Sequence, residues 1–405
     1  MIYILSTIIF FVSLLLFFSN KHFGFVLLVS FGILYYIISP FLIFKSGFVD
    51  GFPGIGEWSI TFSKSIIEYE VLIYYSVVLL FFIMIFSNCL NRIKLVNITI
   101  TKISPITIFL SIVFIAILLF SVWIKARGMF FKGYATDYNA TLMGQMATFN
   151  LLINFLCLYC FISGHKRLLV FGLFFLVGNS ILLLGMGGRM YVVTVIISWF
   201  LLICNRSSGK KRVKYFFYFV SFAFIFSAIG IWRLGILNYS FLPYIFFAEP
   251  VFTSYSSSSF LFNNEIPIFG DFSLYLKSFV GVLPSFFFPD KASFYTTPQD
   301  LGYDFIAPLG ATSIVVYSLV SFGIFGSLFY ILFLTLFFTW LKRLHRNEGL
   351  WSVIYYSTLS VIPFLLFRES FYISTRVFTL LGLVFPCILV CVDMLLKVYK
   401  NDRVF

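Results

Sequence analysis

Four arginines at or near the ends of hydrophobic segments are the residues in this sequence best suited to hold an anion: Arg189, Arg233, Arg368 and Arg376. A guanidinium at a membrane boundary is costly unless it reaches the interface, pairs with an acid or binds an anion. Its planar fork can make two parallel hydrogen bonds to the oxygens of a diphosphate. Each arginine also has a structural interpretation, as a helix anchor or as the partner of an acid such as Glu369. The structural interpretation accounts less well for all four arginines together than for any one of them.

Glu249 is the acid whose surroundings best suit proton transfer. It lies in FFAEPVFTSYSSSS (246–259), where several neighbours are aromatic. Burial among apolar groups raises the pKa of a carboxyl, so the sequence predicts that Glu249 exchanges a proton near neutral pH. A helix cap or an ion pair with Arg233 is the structural alternative, at even weight. Three further acids stay open as the general base: Asp290, Asp304 and Glu369.

Metal-binding patterns are weak in the sequence. Glu68 and Glu70 form an ExE pair, but residues i and i+2 diverge on a helix and rarely share a ligand. The three histidines each lie beside a lysine or arginine, and we expect them in solvated cytoplasmic turns: His22, His165 and His345. We therefore predict a site without a metal ion or a cofactor.

The overall composition excludes a water-soluble protein. The 405 residues are 61% hydrophobic and only 11% charged, with a mean hydropathy of +1.04, whereas water-facing surfaces need far more charge. Apolar windows of about 20 residues predict an all-α polytopic membrane protein with a single integral membrane domain over 1–405. About eleven transmembrane helices are predicted, near 2–18, 23–44, 70–90, 104–124, 142–164, 168–186, 190–204, 215–232, 313–341, 350–367 and 377–397.

The basic residues are unevenly divided between the two sets of connections. One set carries 17 of the 28 lysines and arginines but only three of the 15 acids. By the positive-inside rule this side is cytoplasmic, which places the N-terminus outside, the C-terminus inside and the four arginines on the outer face. The net charge of +13 is therefore a topology signal. No basic patch interleaved with aromatic residues indicates nucleic-acid binding.

The segment 233–312 is predicted as one large extracytoplasmic loop between the eighth and ninth helices. It holds seven of the twelve prolines and nine charged residues, yet it contains apolar patches such as LYLKSFVGVLPSFFFP (274–289). A polar, proline-rich stretch between hydrophobic helices favours a lid or a re-entrant element over a cavity.

Several motifs of the predicted outer face follow one another in a suggestive order. A glycine–arginine tip, GMGGRMYVV (185–193), is followed by a basic turn and by a helix that ends in WRLG (232–235). The long loop ends with VLPSFFFPDK (282–291) and IAPLG (306–310) and is followed by YSLVSFGIFGSLFY (317–330). The last outer tip is FRESFY (367–372). This order resembles the Wzy-type O-antigen, or oligosaccharide repeat-unit, polymerases over roughly 170–390. The glycine–arginine tip departs from the pattern of this family. Many relatives place a small residue after the arginine, whereas Met190 follows Arg189 here.

The resemblance implies an activity and a set of partners. Such polymerases have a GT-C-like glycosyltransferase architecture and act on undecaprenyl-diphosphate-linked oligosaccharides at the periplasmic face of the bacterial inner membrane. They transfer the growing glycan from its lipid carrier to the non-reducing end of a new lipid-linked unit. The arginines of this chain could stabilise the leaving diphosphate without a metal ion. In this chain Arg189, Arg368 and Arg376 would bind the diphosphates, and Arg233 and Glu249 would be catalytic. The implied partners are membrane lipid and a chain-length regulator, a Wzz-type co-polymerase.

Three other functions stay open beside this one. The O-antigen ligase, a relative in architecture and substrate, is expected from the resemblance to use an outer-face histidine, and this chain has none there. A flippase of lipid-linked oligosaccharides, or another transporter, would have charged or polar groups within its spans and a repeat symmetry, and the sequence shows neither clearly. A purely structural subunit would not need the long charged loop. The polymerase is therefore the favoured prediction.

Overall fold

The computed structural model describes residues 2–18, 24–47, 56–90, 102–130, 140–207, 209–233, 242–283, 290–345 and 349–401, and the regular structure in these ranges is entirely helical. The helices, numbered in chain order, are α1 (Ile2–Phe18), α2 (Phe25–Ser46), α3 (Gly56–Lys64), α4 (Ile66–Leu90), α5 (Pro105–Ala126), α6 (Ala140–Ile162), α7 (Lys166–Met186), α8 (Arg189–Asn205), α9 (Gly209–Arg233), α10 (Leu242–Asn263), α11 (Phe272–Ser278), α12 (Ile314–Leu344), α13 (Leu350–Leu366) and α14 (Phe371–Tyr399). Each predicted span overlaps one of these helices.

Seven of the described helices are long and apolar enough to cross a membrane: α2, α4, α5, α6, α7, α12 and α14. Helices α1, α8 and α13 are also apolar but shorter. Helix α9 coincides with the predicted eighth span, and many of its side chains lie outside the described residues. The set indicates a multi-pass membrane protein, as the hydropathy of the sequence predicts.

Local sequence signals determine several helix ends. Ser104 caps α5 by accepting a hydrogen bond from a backbone amide of the first turn, and Pro105 occupies the first helical position. Ser313 caps α12 in the same way. Gly187 ends α7 with φ at 97°, a left-handed conformation that favours glycine. Helix α8 begins two residues later at Arg189, so the predicted glycine–arginine tip is a tight turn between two helices.

The predicted loop 233–312 contains a helix of 22 residues, α10, whose middle part is buried. Its residues 253–259 are each less than one-tenth exposed, and the helix contacts α2, α3, α4 and α12. The sequence missed this helix because hydroxyl side chains compete with the backbone for hydrogen bonds and are typical of loops. Here they bond back to carbonyls three or four residues earlier, as Ser259 does to Tyr255 at 2.8 Å. Small side chains also let neighbouring helices approach closely.

Helix α12 is interrupted at Gly323, where φ is 69° and ψ is −172°. The chain that follows α10 fills the break. The Asp271 amide donates to the Val320 carbonyl at 2.8 Å, and the Ile324 amide donates to the Pro267 carbonyl at 3.1 Å. A Cβ atom at Gly323 would lie 2.3 Å from a carbonyl oxygen of that chain, so glycine is required for this approach. Part of the predicted loop is thereby bonded through its backbone to a membrane helix.

Three π-helical turns interrupt the described spans, at Ile33–Ile38 in α2, Ile362–Leu366 in α13 and Leu380–Val384 in α14. Such turns are frequent at functional sites. The first two turns lie close together in the fold, because the rings of Tyr36 and Phe367 stack with their centroids 5.9 Å apart. Phe367 directly precedes Arg368 in the chain, so a π-helical turn of α2 lies beside one of the predicted arginines.

Candidate functional site

Glu249 lies between two arginines in a cluster of four charged residues. Arg189 donates through Nη2 to Glu249 Oε1, and Arg368 donates through Nε to Glu249 Oε2 at 2.5 Å. Arg368 also donates through Nη1 to Glu369 Oε1. We call these four residues the ion cluster. Their side chains are only 11% to 25% exposed, so the charges are largely shielded from solvent.

Three distant parts of the chain supply the ion cluster. Arg189 is the first residue of α8, Glu249 lies directly before Pro250 in α10, and Arg368 follows the π-helical end of α13. Glu249 is 60 residues from Arg189 and 119 residues from Arg368. All three were predicted as site residues from the sequence, and the structure brings them into direct contact.

The two arginines reverse the expected protonation of Glu249. Burial alone would raise the pKa of this carboxyl, but the charges and hydrogen bonds of Arg368 and Arg189 lower it to about 2. Glu249 is therefore an anion at neutral pH, and the expectation of a raised pKa is wrong. Burial also disfavours the charge of Arg368, yet Glu249 and Glu369 outweigh it and raise the pKa of that guanidinium.

Two tyrosines of the π-helical turn in α2 stand beside the ion cluster. The charges of Glu249 and Arg189 act on the Tyr35 phenol, and those of Glu249 and Arg368 act on the Tyr36 phenol. Tyr36 is 2% exposed, and within the described part of the chain its hydroxyl has no hydrogen-bond partner. A buried hydroxyl left unpaired costs about 1–3 kcal/mol and is often explained by an absent water or ligand. Sequence reasoning missed both tyrosines because they lie in an apolar helix and resemble core residues.

Residues that follow position 290 lie against the Arg368 end of the ion cluster. The hydroxyls of Tyr295 and Tyr317 are 3.1 Å apart, and the Tyr295 ring lies 4.5 Å from that of Tyr372. Thr312 Oγ1 donates to the Arg368 backbone carbonyl at 3.4 Å. This part of the predicted loop therefore borders the site.

The other two predicted arginines have different positions. Arg376, in α14, donates through Nη2 to Thr148 Oγ1 of α6 and is not a member of the ion cluster. Arg233 ends α9, and its side chain lies outside the described residues. Its predicted catalytic role stays a prediction.

Of the three other acids that stayed open as the base, Glu369 belongs to the ion cluster. Asp304 is exposed and accepts a hydrogen bond from Asn263 Nδ2 at 3.3 Å. Asp290 is also exposed, at the start of a short 3-10 helix. Glu369 is therefore the alternative base that the structure places closest to the arginines.

His345 does not occupy the solvated turn that the sequence predicted. Its Nδ1 lies 2.8 Å from Ser352 Oγ, its Nε2 lies 3.1 Å from the Tyr356 hydroxyl, and its ring stacks on Tyr355 at 5.2 Å. The His345 ring therefore packs against α13, which a neighbouring basic residue in the sequence cannot reveal.

No protein-family model, curated protein or solved structure matches this chain. Within the described residues, no three side chains of His, Cys, Asp or Glu gather to form a metal site. Arg189 and Arg368 converge on one carboxylate, and paired guanidinium groups of this kind are suited to bind an anion.

Proposed function

We propose that this chain is a metal-independent polymerase of undecaprenyl-diphosphate-linked oligosaccharide repeat units. It would move the growing glycan from its lipid carrier to the non-reducing end of a new lipid-linked unit, at the periplasmic face of the bacterial inner membrane. The observation that supports this most directly is the convergence of Arg189 and Arg368, at the ends of apolar helices, on Glu249 within α10. An enclosed pair of guanidinium groups there suits the diphosphate of a membrane-anchored substrate.

In the proposed reaction the two arginines stabilise the leaving diphosphate. A hydroxyl of the acceptor sugar attacks the anomeric carbon of the donor glycan. The bond from that carbon to the phosphate oxygen breaks, and its electron pair stays on the diphosphate. Arg189 and Arg368 neutralise the charge that develops on this oxygen. The proton of the attacking hydroxyl passes to a carboxylate of the ion cluster.

Diphosphate binding would itself prepare Glu249 to accept that proton. In the ligand-free protein Arg368 and Arg189 hold the pKa of Glu249 at about 2, which makes it a poor base. A diphosphate that takes over the guanidinium hydrogen bonds removes this stabilisation, and the buried carboxyl then has a higher pKa. Glu369, which shares Arg368, is the second carboxylate available for the same proton.

An apolar cleft between α2, α4 and α12 is suited to the prenyl chain of the substrate. Its lining includes Ile33, Leu72 and Leu319, and it extends to Phe367, the residue before Arg368. A prenyl chain in this cleft would carry its diphosphate toward the ion cluster. Removal of the reacting groups from bulk water would favour transfer over hydrolysis.

The resemblance to the Wzy-type polymerases also implies a membrane topology, roles for two further arginines and a protein partner. All eleven predicted segments would cross the membrane in a GT-C-like architecture, with 233–312 as the large periplasmic element. Arg376 would bind a diphosphate and Arg233 would assist catalysis. A Wzz-type chain-length regulator is the proposed protein partner, and the reaction would require no cofactor.

The proposal is tested by polymerisation in vitro. Purified wild-type protein is incubated with its lipid-linked repeat unit in the presence of EDTA, and the products are separated on a gel. We expect a ladder of glycans that survives EDTA, is lost with Arg189→Ala and Arg368→Ala, and persists with Lys64→Ala, a change of an exposed lysine in α3. Folded, monodisperse wild-type protein that forms no ladder, or a ladder abolished by EDTA, would contradict the proposal.

A transporter of lipid-linked oligosaccharides is the second candidate, and the break in α12 favours it. Interrupted helices often form the substrate site of transporters, and Gly323 interrupts a candidate span nine residues after its first residue, Ile314. Reconstituted vesicles discriminate between the two functions. Movement of a lipid-linked unit between leaflets without chain extension supports the transporter, and chain extension from units already on the outer leaflet supports the polymerase.

A further inference from the structure

A row of large apolar side chains is exposed along residues 266–283, within the segment that the sequence predicts as an extracytoplasmic loop. The exposed members are Ile266, Ile268, Phe269, Phe272, Leu276, Phe279 and Leu283. Phe269 is 79% exposed. A continuous apolar patch of this kind in contact with water is unusual, and it indicates a surface that is covered by an apolar partner.

Helix α11, at the centre of this row, divides its side chains between different surroundings. Phe272, Leu276 and the following Phe279 are spaced by four and three residues, so they share one face, and this face is exposed. Leu274 and Ser278 are buried on the opposite face, and the half-buried Tyr275 ring packs against aromatic rings of α12 and α14 at 5.1 Å and 5.3 Å. Lys277 Nζ donates to Thr296 Oγ1 at 3.2 Å. The short helix therefore has a protein face, a polar edge and an open apolar face.

The open apolar face continues onto a membrane-spanning helix. The Phe269 ring lies 6.3 Å from the ring of Phe325 in α12. Phe325, Phe329 and Phe333 follow one another at intervals of four residues and are 58%, 71% and 58% exposed. Because α12 is a candidate span, these exposed phenylalanines face lipid, and the row along 266–283 extends the same surface.

The depth of this row follows from the break at Gly323. The part of α12 beyond the break, Ile324–Leu344, holds 21 residues and is about 31 Å long at 1.5 Å per residue. That length matches the roughly 30 Å hydrocarbon core of a bilayer, and Lys342 and Arg343 mark its far end. The break, and the residues 267–271 bonded to it, therefore lie at the opposite boundary of the hydrocarbon.

We propose that residues 266–283 lie in the plane of the membrane interface, with their exposed apolar side chains among the acyl chains of the adjacent leaflet. The row is on the same side of the membrane as the ion cluster, because Tyr275 packs on Phe371 and Gly281 packs on Tyr372, a few residues from Arg368. The partner of this surface is lipid. This inference does not depend on the reaction that the ion cluster performs.

Nitroxide accessibility in lipid vesicles tests the inference on the full-length protein. A spin label is attached to Phe269→Cys or Leu276→Cys after the lipid-exposed native cysteines, Cys89, Cys387 and Cys391, are changed to serine. Phe329→Cys is the matched lipid-facing control, and Gln299→Cys, exposed near the polar edge of the segment, is the water-facing control. Collisions with oxygen report lipid contact, and collisions with a water-soluble nickel complex report water contact.

We expect the labels at 269 and 276 to resemble the label at 329, with a ratio of oxygen to nickel collisions several times that of the label at 299. A ratio equal to that at 299 would show a water-facing loop and overturn the proposal. Labels protected from both reagents would show a protein partner, such as a second copy of this chain, and would overturn it as well. If either Phe269→Cys or Leu276→Cys fails to fold, the label on the other variant is sufficient to distinguish these outcomes.

Discussion

Arg368 Nε and Glu249 Oε2 are 2.5 Å apart, although 119 residues separate the two in the sequence. This contact joins the end of α13 to the buried helix α10, and Arg189 at the start of α8 shares the same carboxylate. Three helices therefore depend on one buried anion. Loss of any member leaves the others with charge that has no compensation in a low-dielectric environment.

Replacement of Arg368 by alanine should strongly destabilise the protein. It leaves Glu249 with Arg189 alone and removes the arginine that pairs with Glu369 in the cluster. Removal of one member of a buried ion pair costs about 3–5 kcal/mol. Lys64→Ala, which removes an exposed cation over the ring of Phe262, should cost only about 0.5–1 kcal/mol. Unfolding in detergent, followed by circular dichroism, measures both. Equal effects of the two changes would contradict a structural role for the cluster.

The ion cluster should make the protein sensitive to acid only at low pH. Because the pKa of Glu249 is lowered from about 4.5 to about 2 in the folded protein, its contribution is complete above the unfolded value and is lost as pH falls between these values. The contribution is on the order of 3 kcal/mol. Thermal unfolding of wild type and Glu249→Gln between pH 7 and pH 2.5 measures it. Below pH 4.5 the stability of Glu249→Gln should fall less steeply than that of the wild type. Parallel curves of stability against pH would argue against a charged Glu249.

Gly323→Ala should disrupt the junction between α12 and the chain after α10. The added methyl would lie 2.3 Å from a backbone oxygen, and the positive φ is strained for alanine. We expect a loss of more than about 1 kcal/mol. Gly178→Ala is the matched control, since its added carbon would be 3.6 Å from Trp123, an ordinary contact. That change should be neutral or slightly stabilising, and a similar response of both variants in thermal unfolding would refute the assignment of the break.

Tyr36→Phe should separate activity from stability. The Tyr36 hydroxyl is buried and has no hydrogen-bond partner among the residues that the structure describes. Its removal should therefore leave stability unchanged or raise it by about 1 kcal/mol. If the hydroxyl binds substrate in the proposed polymerase, the rate of chain extension should fall about tenfold or more. Tyr75→Phe is the comparison, because that hydroxyl bonds to the Ile324 carbonyl and to Ser327 Oγ, each at 2.8 Å. Its loss should cost about 1 kcal/mol. A Tyr36→Phe protein that unfolds more easily than Tyr75→Phe would show that the hydroxyl has a structural partner.

Hydropathy predicted most of the helices because the requirement for about 20 apolar residues acts on each segment separately. It did not predict α10, since the serines of residues 253–259 indicate a loop until their hydroxyls are seen to bond within the helix. The break at Gly323 was also missed. A glycine in an apolar run does not show which backbone will approach it.

By itself, the sequence determined that the chain is an all-helical membrane protein and that arginines stand at the helix ends, because hydropathy and charge are properties of single segments. It also identified Arg189, Arg368 and Glu249 as candidates. Only the tertiary structure decided which of the arginines meet one carboxylate, that Arg376 binds Thr148 instead, and that the pKa of Glu249 is lowered rather than raised. The reason is that burial and neighbouring charge act on a carboxyl in opposite directions. Their balance depends on contacts between residues that are far apart in the chain.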